Sequence, residues 1–267
     1  MEIDLKKIQG IEFKILLKIK KICDENDIQF FLLGGTLLGA IRHKDFIPWD
    51  DDVDIGMTRE NYEKFIKVSS SKLEQPYFVQ HFTTDKNYPL SFCKVLDTSI
   101  KFREKRVENE NAKNGLYVDI FPFDKMPDNK LLRKIQLIKY KFYNSYIEVL
   151  LGWRRPTGKN RPIKIIMDVL NKKEISELVD IRQKIMEKYN SSDKVGYYYN
   201  ISSQYGPDRE RIEVSEINKL KKVKFKSEKF PVHENFDDIL KRQYGDYMVL
   251  PKEKERFAKH MDEEERV

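Results

Sequence analysis

A cluster of acidic side chains follows a Gly-Gly pair in the segment GGTLLGAIRHKDFIPWDDDVDIG, residues 34–56. Asp52 and Asp54 alternate with Val53 and Ile55. In an extended chain alternate side chains point to the same face, with Cα atoms two positions apart separated by about 6–7 Å. Two carboxylates in that arrangement can share hard divalent cations, which bring phosphates with them. The pattern therefore predicts a metal-phosphate site.

The Gly-Gly pair is the second part of this candidate site. Gly34 and Gly35 follow an apolar run, residues 28–33, that is typical of a buried strand. Glycine allows a phosphate to approach the backbone closely, although a simple tight turn would also use it. Thr36 is predicted to cap a helical segment over 37–42, whose first N–H groups lack intrahelical partners and attract anions.

A third carboxylate comes from a later segment. Asp119 stands among apolar residues in the predicted strand LYVDIF, residues 116–121. A buried carboxylate must be paired or bound to metal. Asp119 is therefore predicted to be a third metal ligand, a general base for an acceptor hydroxyl, or both; the alternative is a buried cap on a backbone turn. Two metals held by such a triad can orient a pyrophosphate and activate a hydroxyl for in-line attack.

Further side chains are candidates for binding the substrate: Arg42, His43, Trp49 and Lys94. Arg42 and His43 are predicted either to contact donor phosphates or to pair with the aspartates. Trp49 offers an aromatic face of the kind that binds quaternary ammonium, as do Trp153 and the tyrosines 197–199, although an aromatic run also packs cores. Lys94 alternates with apolar neighbours, so it points into the site or lies on an exposed edge.

Several other classes of site are disfavoured. An EF-hand counted from Asp50 would need Gly at Ile55 and Glu at Asn61. The two cysteines, Cys23 and Cys93, lie in apolar contexts and the four histidines are scattered, which argues against a zinc hydrolase. The net charge is +7, but the basic residues are spread along the chain rather than concentrated in a stripe. That distribution predicts no nucleic-acid partner and fits phosphorylated substrates or loose contact with an anionic membrane leaflet.

The rest of the chain indicates an enzyme-sized globular protein of 267 residues. Isoleucines at three- and four-residue steps predict a helix over 3–26, and further helices are predicted at 58–68, 131–151, 163–171, 174–190 and 235–243. Extended segments are predicted near 77–79, 92–96, 100–102 and 223–225. The turn-rich stretch 152–162 predicts a division into a core, 1–151, and a mainly helical subdomain, 152–267, packed on it. Buried thiols and the lack of a signal-peptide core predict a cytoplasmic protein, peripheral at most to the inner face of the cell membrane.

The central motif GGTLLGAIRHKDFIPWDDDVDIGM resembles the signature of the LicD family, which includes bacterial phosphocholine transferases and is similar to fukutin-type ribitol-phosphate transferases. The blocks ICDENDIQFFLLGG, LYVDIFPFD and LKRQYGDYMVLP look like further family blocks, whereas residues 125–225 offer little to match. The resemblance implies an α+β, nucleotidyltransferase-like fold with a mixed β-sheet core, flanking helices and a helical C-terminal subdomain. By motif position it also implies that Asp52, Asp54 and Asp119 hold Mg²⁺, with Mn²⁺ as an alternative.

The function implied by the resemblance is transfer of an alcohol phosphate, such as phosphocholine, from a CDP-alcohol to a sugar hydroxyl, with release of CMP. The acceptor would be a lipid-linked precursor of a cell-surface glycan: teichoic acid, capsule or lipopolysaccharide. Two alternatives stay open, which are nucleotidyl transfer that leaves NMP on the acceptor, and a non-catalytic nucleotide-binding assembly protein. The sequence does not distinguish choline, ribitol and glycerol.

Overall fold

The computed structural model describes residues 4–102, 111–153 and 173–258, and one mixed β-sheet organises them. The first half contains α1 (Leu5–Glu25), β1 (Phe31–Leu32), α2 (Gly34–Arg42), β2 (Asp54–Thr58), α3 (Arg59–Lys72), β3 (Tyr77–Gln80), β4 (Cys93–Asp97), β5 (Leu116–Met126) and α4 (Lys130–Leu150). The second contains α5 (Ile175–Glu187), β6 (Tyr197–Tyr199), α6 (Pro207–Glu210), β7 (Ile212–Glu213), β8 (Leu220–Phe225), β9 (Glu228–His233) and α7 (Phe236–Tyr244), followed by a 3₁₀ turn (Glu253–Glu255).

The sheet has the strand order β1-β2-β5-β4-β3. Strands β2 and β5 are parallel, and the other neighbours in this order are antiparallel. The long strand β5 also pairs with β6 through its last three residues, and β6 in turn pairs with β7. Strands β8 and β9 form a separate hairpin. The prediction of an α+β fold with a mixed sheet is confirmed.

Helix α1 covers one face of the sheet. Asp4 caps its N-terminus by accepting a hydrogen bond from Lys6 N–H at 3.3 Å. Ile8, Ile15, Ile19 and Ile22 are buried, as their helical spacing requires. Each such side chain contributes about 1.5–3 kcal/mol through burial. The predicted helix over 3–26 is confirmed, apart from its ends.

The β8–β9 hairpin belongs to the same hydrophobic core as α1. The Phe13 ring of α1 lies 6.1 Å from Phe225 of β8 and 6.2 Å from Phe230 of β9, measured between centroids. The strand predicted around Val223 and Phe225 is thus confirmed. Its partner β9 was not predicted, because Pro231 and the flanking charges hide the alternation of Phe230 and Val232.

A buried ion pair joins α3 to β5. Arg59 donates from Nε to Asp124 Oδ1 at 2.9 Å and from Nη2 to Asp124 Oδ2 at 2.6 Å. Asn190 Nδ2, just after α5, donates to Asp124 Oδ1 at 2.6 Å. This pair fixes the first residue of α3 against the end of β5 that follows the candidate site.

Most predicted elements are present, with three differences. Residues 100–102 are not a strand. Only Phe31 and Leu32 of the apolar run 28–33 pair as a strand, although the run is buried as predicted. Helix α2 begins at Gly34, earlier than predicted. The helix predicted at 163–171 lies outside the described residues, and the division of the chain at residue 151 stays a prediction. No helix within the described ranges is both long and apolar enough to cross a membrane.

Candidate active site

Two of the predicted ligands are brought together by the parallel strands. Asp54 is the register partner of Asp119 across β2 and β5, and Asp119 N–H donates to Val53 C=O at 2.9 Å. Partners in a parallel ladder lie about 4.8 Å apart and project to the same face. Val53 and Ile55 are fully buried on the other face, so the alternation predicted around Asp54 is present.

The residues before β2 bring more carboxylates. Asp50, Asp51 and Asp52 each offer one oxygen, and these three oxygens lie within 4.8 Å of one another. Gln9 of α1 holds this stretch by donating from Nε2 to the Asp50 carbonyl at 2.8 Å. Oxygen-only ligand sets of this kind suit Mg²⁺ and Ca²⁺. Asp52 precedes β2 rather than lying within it, and Asp50 and Asp51 belong to the predicted acidic cluster but not to the predicted ligand set.

Like charge and burial act together on these groups. The pKa of Asp54 is raised well above its ordinary value, first by desolvation and then by the charges of Asp52 and Asp119. The pKa of Glu12, a buried residue of α1, is raised by desolvation and then by the charges of Asp52, Asp51, Asp50 and Asp54. Without a bound cation, the negative charges of these carboxylates repel one another. A divalent ion bound among them would relieve that repulsion.

The N-terminus of α2 faces the carboxylates. A methyl group added at Gly35 would lie 2.5 Å from Asp50 Oδ2, and one added at Gly34 would lie 3.4 Å from Asp54 Oδ2. Gly34 also has φ +50, a conformation that glycine adopts readily. The pair thus permits the carboxylates, as well as any ligand they hold, to approach the first turn of α2.

Thr36 has a different role from the predicted one. Helix α2 begins two residues earlier, with Leu33 as its N-cap, so Thr36 is not the cap. Its hydroxyl instead accepts a hydrogen bond from Asp54 N–H at 2.8 Å, which fixes the first residue of β2 against α2. Thr36 therefore positions the backbone that carries Asp54.

Arg42 is the last residue of α2, and His43 follows it as the C-cap. Arg42 donates from Nη1 to the carbonyl of Tyr247 at 2.7 Å and from Nε to His43 Nε2 at 2.9 Å. Partial burial and then the Arg42 charge lower the pKa of His43, in keeping with a neutral ring that accepts from Arg42. Trp49 packs edge-on to His43, with centroids 6.3 Å apart.

Lys94 is buried behind Asp119. Its Nζ lies 3.4 Å from Asp119 Oδ1 and 3.4 Å from the centroid of the Tyr117 ring. Only 2% of the Lys94 side chain is exposed, so the edge-lysine alternative is wrong. The ammonium supports the third carboxylate from the protein side.

These elements enclose one large cleft of about 1420 Å³. Of the predicted residues, Gly34, Gly35, Arg42, Trp49, Asp52, Asp54 and Asp119 line it, whereas Thr36, His43 and Lys94 do not. Among the described residues of the lining are one cationic side chain, Arg42, and seven carboxylates: Asp50, Asp52, Asp54, Asp119, Glu210, Asp246 and Glu255. The cleft therefore attracts cations strongly.

Glu210, at the end of α6, is a cleft residue that the sequence did not reveal. It is 5% exposed and accepts from Gln243 Nε2 at 3.3 Å through Oε1, while Oε2 accepts no hydrogen bond from the described residues. Burial raises the pKa of Glu210 to about 7, against a hydrogen bond with Ser203 that lowers it. Nothing in the segment PDRE marks one of its acids for burial.

Aromatic rings line part of the same cleft. Phe92 and Phe121 pack with centroids 4.4 Å apart, and both belong to the lining together with Trp49. The alternative aromatic candidates lie elsewhere: Trp153 donates from Nε1 to the Asn87 carbonyl at 2.8 Å, and residues 197–199 form β6. Neither group is among the described lining residues.

Comparison with known proteins adds an independent finding. Residues 27–151 match the family described as LicD/FKTN/FKRP, nucleotidyltransferase domain. Over 273 aligned positions the chain is 28% identical to the lipopolysaccharide cholinephosphotransferase LicD of Haemophilus influenzae, with 98% of both chains covered.

Two more relatives share only part of the chain. Ribitol 5-phosphate transferase FKRP of Mus musculus is 33% identical over 107 residues, which cover 40% of this chain and 19% of the mouse protein. The uncharacterized protein RT0683 of Rickettsia typhi is 32% identical over 132 residues, 49% of this chain and 39% of that protein.

Proposed function

We propose that this protein is a phosphotransferase of the LicD type that moves an alcohol phosphate from a CDP-alcohol to a sugar hydroxyl; the match of residues 27–151 to the nucleotidyltransferase domain of that family supports the proposal. The acceptor is a cell-surface glycan precursor, and CMP is released. Similarity to a lipopolysaccharide cholinephosphotransferase over almost the whole chain favours phosphocholine as the group and lipopolysaccharide as the glycan.

The charge of the cleft is the observation that carries this proposal. A nucleoside diphosphate is an anion, and it would meet seven carboxylates and a single guanidinium among the described lining residues. Coulomb repulsion excludes such a ligand unless cations neutralise the carboxylates that line the cleft. A cleft of this charge, next to a helix N-terminus, therefore suits a cation-bound diphosphate and disfavours a free anionic substrate.

The donor set fits Mg²⁺. Asp52, Asp54 and Asp119 would hold the ion, with Asp50 as a further oxygen ligand. When bound, the metal would orient the diphosphate and neutralise the charge that develops on it during in-line transfer. Lys94 holds Asp119 in place, and the hydroxyl of Thr36 holds the backbone of Asp54.

The remaining side chains would bind the two ends of the donor. Arg42 can turn to a phosphate oxygen in a charge-assisted hydrogen bond. Trp49 and the Phe92–Phe121 pair offer aromatic faces to a quaternary ammonium headgroup. These aromatic faces suit choline as the alcohol.

Glu210 is better suited than Asp119 to accept the proton of the attacking hydroxyl. A carboxylate beside Lys94 and a metal ion is a weak base, whereas Glu210 is buried and has an oxygen without a hydrogen bond from the described residues. The acceptor oxygen would bond to phosphorus, the bond from phosphorus to CMP would break, and the proton would pass to Glu210 Oε2.

Product analysis tests the reaction. A CDP-choline donor labelled differently in its choline and its cytidine is incubated with Mg²⁺ and a lipopolysaccharide acceptor. Alcohol-phosphate transfer puts the choline label on the acceptor and releases labelled CMP. Nucleotidyl transfer puts the cytidine label on the acceptor instead. A non-catalytic protein would give neither product, although the donor would still protect it from thermal unfolding.

A further inference from the structure

Helix α4 presents an apolar stripe to solvent. Leu131, Leu132, Ile135 and Ile138 are 65%, 43%, 41% and 59% exposed. Residues 131, 135 and 138 follow one another at four- and three-residue steps, so they form one continuous stripe on the helix. The opposite side of the same helix is buried and includes Gln136 and Tyr140.

The stripe continues into a shallow groove between α4 and α5. Leu132 and Ile135 form one wall, and Ile181 and Ile185 of α5 form the other. The groove has a volume of about 210 Å³, which is too small to accept a large secondary-structure element of a protein partner. No carboxylate belongs to the described residues that line it.

Lysines flank this apolar surface on both sides. They are Lys130, Lys134, Lys139 and Lys141 of α4, Lys184 of α5 and Lys188 directly after it, all exposed. None of the six forms an ion pair with a carboxylate in the described part of the chain, whereas surface lysines elsewhere, such as Lys20 and Lys241, do. Long lysine stems can lie along apolar surface while their ammonium groups reach outward.

From this arrangement we propose that the stripe and its six lysines, the α4 face, dock on the surface of an anionic phospholipid bilayer. The aliphatic side chains of the stripe insert at the boundary between lipid headgroups and acyl chains, and the lysine ammonium groups contact lipid phosphates. A bilayer meets both needs without the shape complementarity that a protein partner would require. A nucleic acid would satisfy the lysines only and leave the leucine and isoleucine side chains in water.

One buried side chain of α4 contacts the helix that carries Glu210. On the buried side of α4, Arg133 Nη2 lies 3.7 Å from Asp208 Oδ1, and Asp208 belongs to α6, whose last residue is Glu210. Docking through α4 would therefore tether this helix, with its cleft residue Glu210, to the leaflet in which a lipid-linked acceptor would be found. This consequence rests on the proposed function, but the docking does not.

Vesicle co-sedimentation of the full chain tests the docking. Vesicles of phosphatidylglycerol mixed with phosphatidylcholine should bind the protein, and pure phosphatidylcholine should bind it much less. Removing two lysines (Lys134→Gln with Lys139→Gln) should weaken binding about fivefold per lysine. Replacing two stripe residues (Leu131→Gln with Ile138→Gln) should also weaken it, at unchanged melting temperature because these side chains are exposed.

A charge-matched control separates local docking from net charge. Lys222 and Lys224 of β8 are exposed, and changing both to Gln removes the same charge from another surface. This control should bind within about twofold of the wild type, since salt screens charges beyond about 8 Å. The proposal fails if anionic vesicles do not bind, if the control loses as much as the α4 variant, or if the apolar variant binds normally. A dimer that the apolar variant dissociates, with no vesicle binding, would assign the face to a second copy instead.

Discussion

Asp54 and Asp119 are register partners on two neighbouring parallel strands, so the sheet itself fixes the spacing of two carboxylates that lie 65 positions apart in the sequence. Their separation does not depend on loop conformation. Asp52 reaches the same cleft from the segment before β2. The Asp54–Asp119 pair is thus held by backbone hydrogen bonds, and a change in one of these carboxylates should leave the position of the other intact.

Asp119→Asn should abolish most of the transfer activity while preserving the fold. The amide is isosteric but cannot supply the negative charge that a divalent ion requires, so transfer should fall by at least about 100-fold. The stabilisation that Mg²⁺ gives in thermal unfolding should also shrink. Asp193→Asn, at an exposed site, is the matched control. Normal Mg²⁺ stabilisation of the Asp119 variant would remove this residue from the metal site.

Glu210→Gln should change the pH profile as well as the rate. Because the pKa of Glu210 is raised to about 7 by burial, the wild-type rate should increase as the pH rises through 7 and the carboxylate ionises. The titratable groups that sense its charge are Tyr199, Tyr205 and Asp54. The variant should lose about 100-fold in kcat and the rise near pH 7. Glu213→Gln, exposed on β7, should keep both, and an unchanged profile in the Glu210 variant would exclude the base role.

Two glycine-to-alanine substitutions should have different effects, one on donor binding and one on stability. Gly35→Ala places a methyl group 2.5 Å from Asp50 Oδ2, so the carboxylate or α2 must move and donor binding should weaken by tenfold or more. Gly10→Ala in α1 meets nothing within 4 Å and should stabilise the protein by about 0.5–1 kcal/mol. Donor titration measures the effect of Gly35→Ala, and urea unfolding measures the effect of Gly10→Ala. Normal donor affinity in the Gly35 variant would show that the close approach is dispensable.

Arg59→Met should destabilise the protein by about 3–5 kcal/mol, because it leaves Asp124 buried without its counter-charge. Replacing both partners (Arg59→Met with Asp124→Leu) should recover much of that loss. The free energy of unfolding in urea provides the measurement for each variant. A loss below about 1 kcal/mol in the single variant would mean that water or a nearby cation replaces the guanidinium.

His233 should make the fold sensitive to acid. Burial lowers the pKa of His233 to about 4 from its ordinary value of 6.5, so the unfolded chain binds a proton that the folded chain rejects. Its contribution to stability is present above pH 6.5 and is lost as the pH falls toward 4, by about 3 kcal/mol in all. His233→Leu should flatten that decline relative to the wild type. Parallel pH curves of the melting temperature for both proteins would contradict this.

The parts of the site that follow local rules could be predicted from the sequence. The alternation around Asp54, the Gly-Gly pair and the isolated acid at Asp119 are all visible within short windows. Glu210 could not be found this way, because its burial depends on Gln243 and Ser203, which reach it through tertiary packing. The same holds for Lys94, whose alternating pattern does not say that Asp119 will lie beside it.

The fold shows a similar division. Helix α1 has a clear period and its prediction was accurate, whereas β9 carries a proline and a charged start that obscure its pairing. Thr36 was assigned as a cap because Thr is common there, but the glycine before it can enter the helix and the hydroxyl is used by Asp54. At Thr36 a hydrogen bond to the neighbouring strand β2 therefore takes the place of the local capping hydrogen bond.

The contact between Arg42 and the carbonyl of Tyr247 joins positions 205 residues apart. A ribosome that has made the first two hundred residues has therefore built the strands that carry Asp54 and Asp119 but not the segment that Arg42 contacts. An unfinished or prematurely terminated polypeptide would display these acidic residues to solvent without a complete cleft around them. The final stretch of translation is thus the step that completes the cleft.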